Sequence, residues 1–206
     1  MKKQPLFLRK NFCIPLLFCG FVYGLVLPFM WGNDPSSEFG TLSLLCETPE
    51  RKIFFWIWGL LTAGGVVCNL QYMYKKFDYK NKFLNALCVL SLIGVCCIAL
   101  TLGHSIEDWN PKRILHWVAT GVFIIFILAA GVLFFIINIK KYKRFGILTA
   151  CMFGIFATFL IIFIGVGKSA LMEMIPVAMY EALLFVINFT PAFKKQERIA
   201  HADQTV

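Results

Sequence analysis

The sequence predicts an all-α, polytopic membrane helix bundle of about six transmembrane helices, with both termini on the cytoplasmic side. Three observations predict it. Charged residues make up only 15% of the chain and hydrophobic residues 59%, whereas a soluble domain carries roughly 25% charge. The apolar residues form solid blocks rather than amphipathic stripes, each long enough for an α-helix to cross about 30 Å of hydrocarbon. Lys and Arg gather at alternate ends of those blocks.

The first block, residues 12–31, follows a basic N-terminal stretch. It is longer than the apolar region of a signal peptide, and no small-x-small cleavage site follows it. We read it as an uncleaved first helix, bent by Pro15 or Pro28. Residues 32–52 form the longest outer segment, with Asp34, Glu38, Glu47 and Glu50 among Gly, Pro and Ser residues that favour a folded loop. The second helix spans 53–74 and contains Ala63-Gly64-Gly65, where a neighbouring backbone can approach closely. A basic cytoplasmic loop leads to the third helix, 83–103. An outer loop, 104–114, precedes the fourth helix, 115–139. The fifth covers 145–166 and the sixth 174–193, so the bundle occupies 1–193 and a polar cytoplasmic tail 194–206. We find no internal repeat.

The formal charge of +9 invites a nucleic-acid reading, but its distribution argues against one. Fifteen of the twenty basic residues lie in four clusters: Lys2 to Lys10, Lys75 to Lys82, Lys140 to Arg144, and Lys194 to Arg198. Short loops rich in Lys and Arg stay cytoplasmic, which orients the chain. Trp31, Trp56, Trp58, Trp109 and Trp117 all fall near the opposite ends of their helices, as an aromatic belt does. Of eight cysteines, seven lie inside apolar blocks and none forms a Cys-x-x-Cys pair, so they read as packing residues. No metal or cofactor is expected.

Ionisable residues inside a membrane are costly and mark function or a polar partner. Glu181 is the one acid placed clearly within a block, about two turns into the sixth helix. Asn188 follows seven residues later, about 20° around the helix, and Glu173 precedes it near the outer mouth. These three form a polar stripe. His104, Glu107 and Asp108 fall in the outer loop, and His116 and Thr120 lie one turn apart at the start of the fourth helix. Together these eight residues are the ligand-binding candidates. Metal binding lacks a His-x-x-x-His or His-Glu-x-x-His spacing. An acid–base pair of His116 and Glu181 acting on a lipid headgroup is the catalytic alternative. The default is a hydrogen-bonded network that ties the helices or holds a ligand.

The order of features resembles the six-helix Frag1/DRAM/Sfk1 group and the related bacterial DUF998-type proteins over roughly residues 12–193. The resemblance rests on several short matches in this chain. They are Ser36-Ser37 in the outer loop, Glu50-Arg51-Lys52-Ile53-Phe54, Asn81-Lys82, Gly94, His116-Trp117-Val118-Ala119, and Tyr180-Glu181 in the closing helix. The polar residues of the eukaryotic members' long outer loops are largely absent. The resemblance implies a protein linked to lipid or membrane homeostasis and brings no catalytic mechanism. We therefore expect a non-enzymatic protein of the plasma membrane that binds a lipid, an amphiphile or a protein partner at its outer face, and no nucleic acid. An enzyme acting on headgroups is the alternative, and a small transporter the third reading.

Overall fold

A computed structural model describes residues 8–32, 48–101, 111–166 and 169–193, with the single positions 5, 34, 36, 42 and 46. The described residues form six α-helices: α1 (Lys10–Val26), α2 (Pro49–Lys76), α3 (Lys82–Leu100), α4 (Pro111–Asn138), α5 (Arg144–Val166) and α6 (Ala170–Phe189). Five are long and apolar enough to cross a membrane, and α5 is a further helix of 23 residues. The chain is a polytopic membrane protein. Its outward faces carry large apolar side chains, Leu60, Leu100 and Ile161 each being more than 70% exposed. Such a surface is stable against lipid tails and not against water.

Helix starts follow local chemistry more closely than hydropathy. Pro49 and Pro111 each open a helix, where a missing N–H costs nothing and the fixed φ already suits the helix. Both helices therefore begin four residues before the apolar blocks do. Asn81 caps α3 by accepting from the Phe83 and Leu84 N–H groups at 2.8 and 3.3 Å. Ser169 caps α6, accepting from Met172 N–H at 3.3 Å. Because α6 starts at Ala170, Glu181 lies three turns inside it, near the middle of the helix rather than near its mouth. Pro28 falls in a 3₁₀ turn, Leu27–Gly32, where α1 ends, whereas Pro15 lies inside α1 and Pro176 inside α6. Each of the last two removes one backbone hydrogen bond from its helix.

Two tight seams organise the bundle. In one, α3 lies along α4. A Cβ added at Gly94 would stand 3.0 Å from Phe123 N and 3.1 Å from Ala119 O, so the two backbones are nearly in contact. In the other, α1 packs against α2 and α6 together. Helices α2 and α3 join the seams, and α5 packs on α4 and α6. Tyr23 Oη donates to Phe54 O at 3.2 Å, while Asn69, near the other end of α2, bonds to Cys13 near the start of α1. In that seam α1 thus runs antiparallel to α2, and α6 runs parallel to α2. We call the end bearing Pro49, Pro111 and Ala170 upper and the other end lower. At the lower end Phe77, Phe134, Tyr142 and Phe145 pack ring against ring, with centroids 5.1–5.9 Å apart, and fix two loops together.

Candidate functional site

The sequence-predicted residues divide among three places. His104, Glu107 and Asp108 lie outside the described residues. His116 is buried in the seam between α3 and α4, with Nδ1 3.2 Å from Thr101 Oγ1. The half-buried Thr120 spends its hydroxyl on the His116 carbonyl at 2.8 Å, within its own helix. Glu173, Glu181 and Asn188 lie in the other seam, at its top, middle and bottom.

At the top, Glu173 Oε2 accepts from Leu42 N–H at 2.9 Å, so this carboxylate ties the chain between α1 and α2 to the start of α6. It also sits in the first turn of α6, where the helix dipole favours a negative charge. Upstream on the same connection, Asp34 Oδ1 accepts from the Ser36 hydroxyl and N–H, which hold its carboxyl below the usual carboxylate range.

At the bottom, side-chain amides tie the helices together, although Asn188 Oδ1 is buried without a hydrogen-bond partner. Asn69 Nδ2 donates to Cys13 O at 3.0 Å and to Gly65 O at 2.8 Å, which uses both of its N–H bonds. Asn188 Nδ2 in turn donates to Asn69 O at 3.0 Å and Oδ1 at 3.3 Å. Lys76 Nζ donates to Ile187 O at 2.9 Å and so places a cation at the negative end of α6. Asn69 is thus the joint of three helices.

The middle differs. Glu181 is 2% exposed, and its Oε1 has no hydrogen-bond partner. That oxygen rests over Gly20 of α1, 2.8 Å from where a Cβ would stand; Leu61 O of α2 lies 3.2 Å from the same point. One turn along α1, a Cβ added at Gly24 would stand 3.3 Å from Trp58 Nε1 and 3.6 Å from Met174 Sδ. Trp58 Nε1 is buried and also has no partner. Thr62 follows Leu61 on α2, one turn after Trp58, and is 1% exposed with an unpartnered Oγ1. Two buried, unpaired polar atoms, Glu181 Oε1 and Trp58 Nε1, therefore stand over two glycines, with Thr62 Oγ1 unpaired one turn after Trp58, and each such atom costs about 1–3 kcal/mol when left unpaired. No known family model, curated protein or solved structure matches the chain. The reading therefore rests on this geometry.

Trp58 corrects the belt reading. Trp56 and Trp117 are nearly half exposed on the lipid-facing surface, as a belt requires, but the Trp58 indole nitrogen faces the bundle. Its helical phase explains this. Trp58, Thr62, Asn69 and Lys76 recur at four- and seven-residue intervals, matching the interval from Glu181 to Asn188. That spacing was the signal for the missing half of the site: polar stripes on α2 and α6 that meet directly in the seam with α1.

His116 and Glu181 are not brought together. Tyr180 Oη donates to Ile127 O at 3.2 Å, marking the level at which α6 meets α4. Ile127 is eleven residues beyond His116, about 16 Å along the helix. Glu181, next to Tyr180, turns the other way toward α1. Their placement gives no support to an acid–base pair. Among the described residues there is also no group of three His, Cys, Asp or Glu side chains suited to a metal. Of the cysteines, Cys19, Cys96 and Cys151 are exposed, and Cys13, Cys46 and Cys88 are buried.

Proposed function

We propose that this protein binds a lipid or other amphiphile inside the α1/α2/α6 seam, with the polar head between Trp58 and Glu181. The observation that carries the reading is the placement of Glu181 Oε1 over Gly20 and Trp58 Nε1 over Gly24, both buried and unpaired, with the buried, unpaired Thr62 Oγ1 one turn after Trp58. Lower in the same seam, Asn69 makes side-chain bonds that tie α1, α2 and α6, and Asn188 Oδ1 is left as a further unpaired atom. Gly20 and Gly24 of α1 leave the room that the Glu181 carboxyl and the Trp58 indole take up, and a ligand head would displace these side chains rather than backbone. The basic clusters support an orientation with both termini cytoplasmic, which turns the upper end outward and fits the plasma membrane. Kinship with the Frag1/DRAM/Sfk1 group is part of the same proposal, since it implies a role in lipid homeostasis.

The test is the lipid that accompanies purified protein. Wild type is expected to retain a defined amphiphile through detergent exchange, and Glu181→Ala to lose most of it while remaining monodisperse. Equal retention by the two proteins, or none in wild type, rejects the proposal.

A further inference from the structure

The seam's polar atoms are unequal in kind and ordered along its depth. The upper one, Trp58 Nε1, can only donate. One turn lower the groups are acceptors: the Glu181 carboxyl, the Thr62 hydroxyl, and the Leu61 carbonyl, whose oxygen faces the same point over Gly20 as Glu181 Oε1 does. A helical carbonyl keeps one lone pair after accepting its own helix bond. A complementary head must therefore bring several N–H donors to the lower level and an acceptor to the upper one.

We infer that the seam is built for an amphiphile whose head carries a primary ammonium, with an ester or phosphate oxygen beside it. This rests on the binding proposal above and adds the ligand class. The ammonium seats against Glu181, Thr62 Oγ1 and Leu61 O, and the oxygen accepts from Trp58 Nε1–H. An ammonium supplies three N–H donors, matching three acceptors, and its charge balances a carboxylate in an apolar seam. A neutral hydroxyl brings one donor. A quaternary ammonium brings none and is too wide to sit on a bond-forming contact. Gly20 and Gly24 form the floor because any side chain there would take the place of the head; a Cβ at Gly20 would already meet Glu181.

The experiment is native mass spectrometry of the full chain in micelles. The micelles contain equal amounts of phosphatidylethanolamine and phosphatidylcholine with identical acyl chains. These lipids differ only in whether the head nitrogen carries N–H bonds. Wild type is expected to retain the ethanolamine lipid over the choline lipid by about tenfold, the smallest ratio that one charge-assisted hydrogen bond gives. Glu181→Gln keeps the shape and removes the charge, and is expected to bring the ratio close to one. Thr62→Val is expected to lower it by a smaller factor, and it tests the same seam if Glu181→Gln does not fold. Bound lipid without preference in wild type overturns the ammonium assignment alone. A preference that survives both substitutions also overturns it, since the selectivity then lies elsewhere. Absence of bound lipid in wild type overturns this inference and the binding proposal together.

Discussion

Gly94 offers the cleanest test of how the bundle is packed. A methyl group there would stand 3.0 Å from Phe123 N, 3.1 Å from Ala119 O and 3.2 Å from Phe123 Cα. All three are backbone atoms of α4, so no side-chain rotation relieves the contact and the two helices must separate. Overpacking of this kind costs about 1–3 kcal/mol. Replacing glycine in a helix interior also brings a gain of up to about 1 kcal/mol, which partly hides the cost. Gly121→Ala corrects for that gain. A Cβ at Gly121 meets nothing within 4 Å, so that variant carries the propensity gain without the clash. The assay is reversible unfolding of the purified protein in mixed micelles with increasing sodium dodecyl sulfate. Gly94→Ala is expected to be less stable than Gly121→Ala by at least about 1 kcal/mol. Equal stabilities of the two variants would refute the close α3–α4 approach.

Other expectations follow from particular contacts. Asn69→Ala removes the side-chain bonds from α2 to Cys13 O and to Asn188, so the same unfolding assay should show a loss of about 1–2 kcal/mol. Asp78 closes α2 with φ +48°, where an L side chain is strained; Asp78→Gly is expected to raise stability by up to about 1 kcal/mol and Asp78→Val to lower it. The Gly131→Ala methyl would run into the Tyr180 hydroxyl, and the loss of stability should be partly recovered in the double variant with Tyr180→Phe. Burial pushes the Cys46 thiol up to about 12, with Arg51 lowering it and Glu173 raising it further. Because this raised group is neutral in the fold, its contribution is intact below about pH 9 and declines as pH climbs toward 12. Maleimide should therefore leave Cys46 unlabelled at pH 8 until the protein is denatured.

Much of the fold was legible because a bilayer writes it into the sequence as length and charge. Helix order and number survive comparison with the structure. The ends of the helices were less legible, since hydropathy begins where Ile53 and Leu115 begin, whereas the backbone turns helical at Pro49 and Pro111. A like difference in α6, which starts at Ala170 rather than at 174, moved Glu181 from near the mouth to the centre of the helix. The stripe Glu173, Glu181 and Asn188 was correctly placed on one side of one helix, because a single helical period decides it. Its opposite wall on α2 was not seen. Thr62 and Trp58 have innocent readings in an apolar block, and only the pairing of α1, α2 and α6 separates them from belt and filler residues. The pairing of His116 with Glu181 failed for the same reason: one-dimensional topology places both toward the upper half of the bundle but does not say which seam each faces.

Photolabelling tests the seam most directly. A long-chain primary amine carrying a diazirine near its head should, on irradiation with the purified protein, modify α1 around Gly20 and Gly24, α2 around Trp58 to Gly65, and α6 around Met174 to Glu181. Glu181→Gln should abolish that labelling. Modification spread evenly over the exposed faces of α3, α4 and α5, unchanged by Glu181→Gln, would contradict a binding site between α1, α2 and α6.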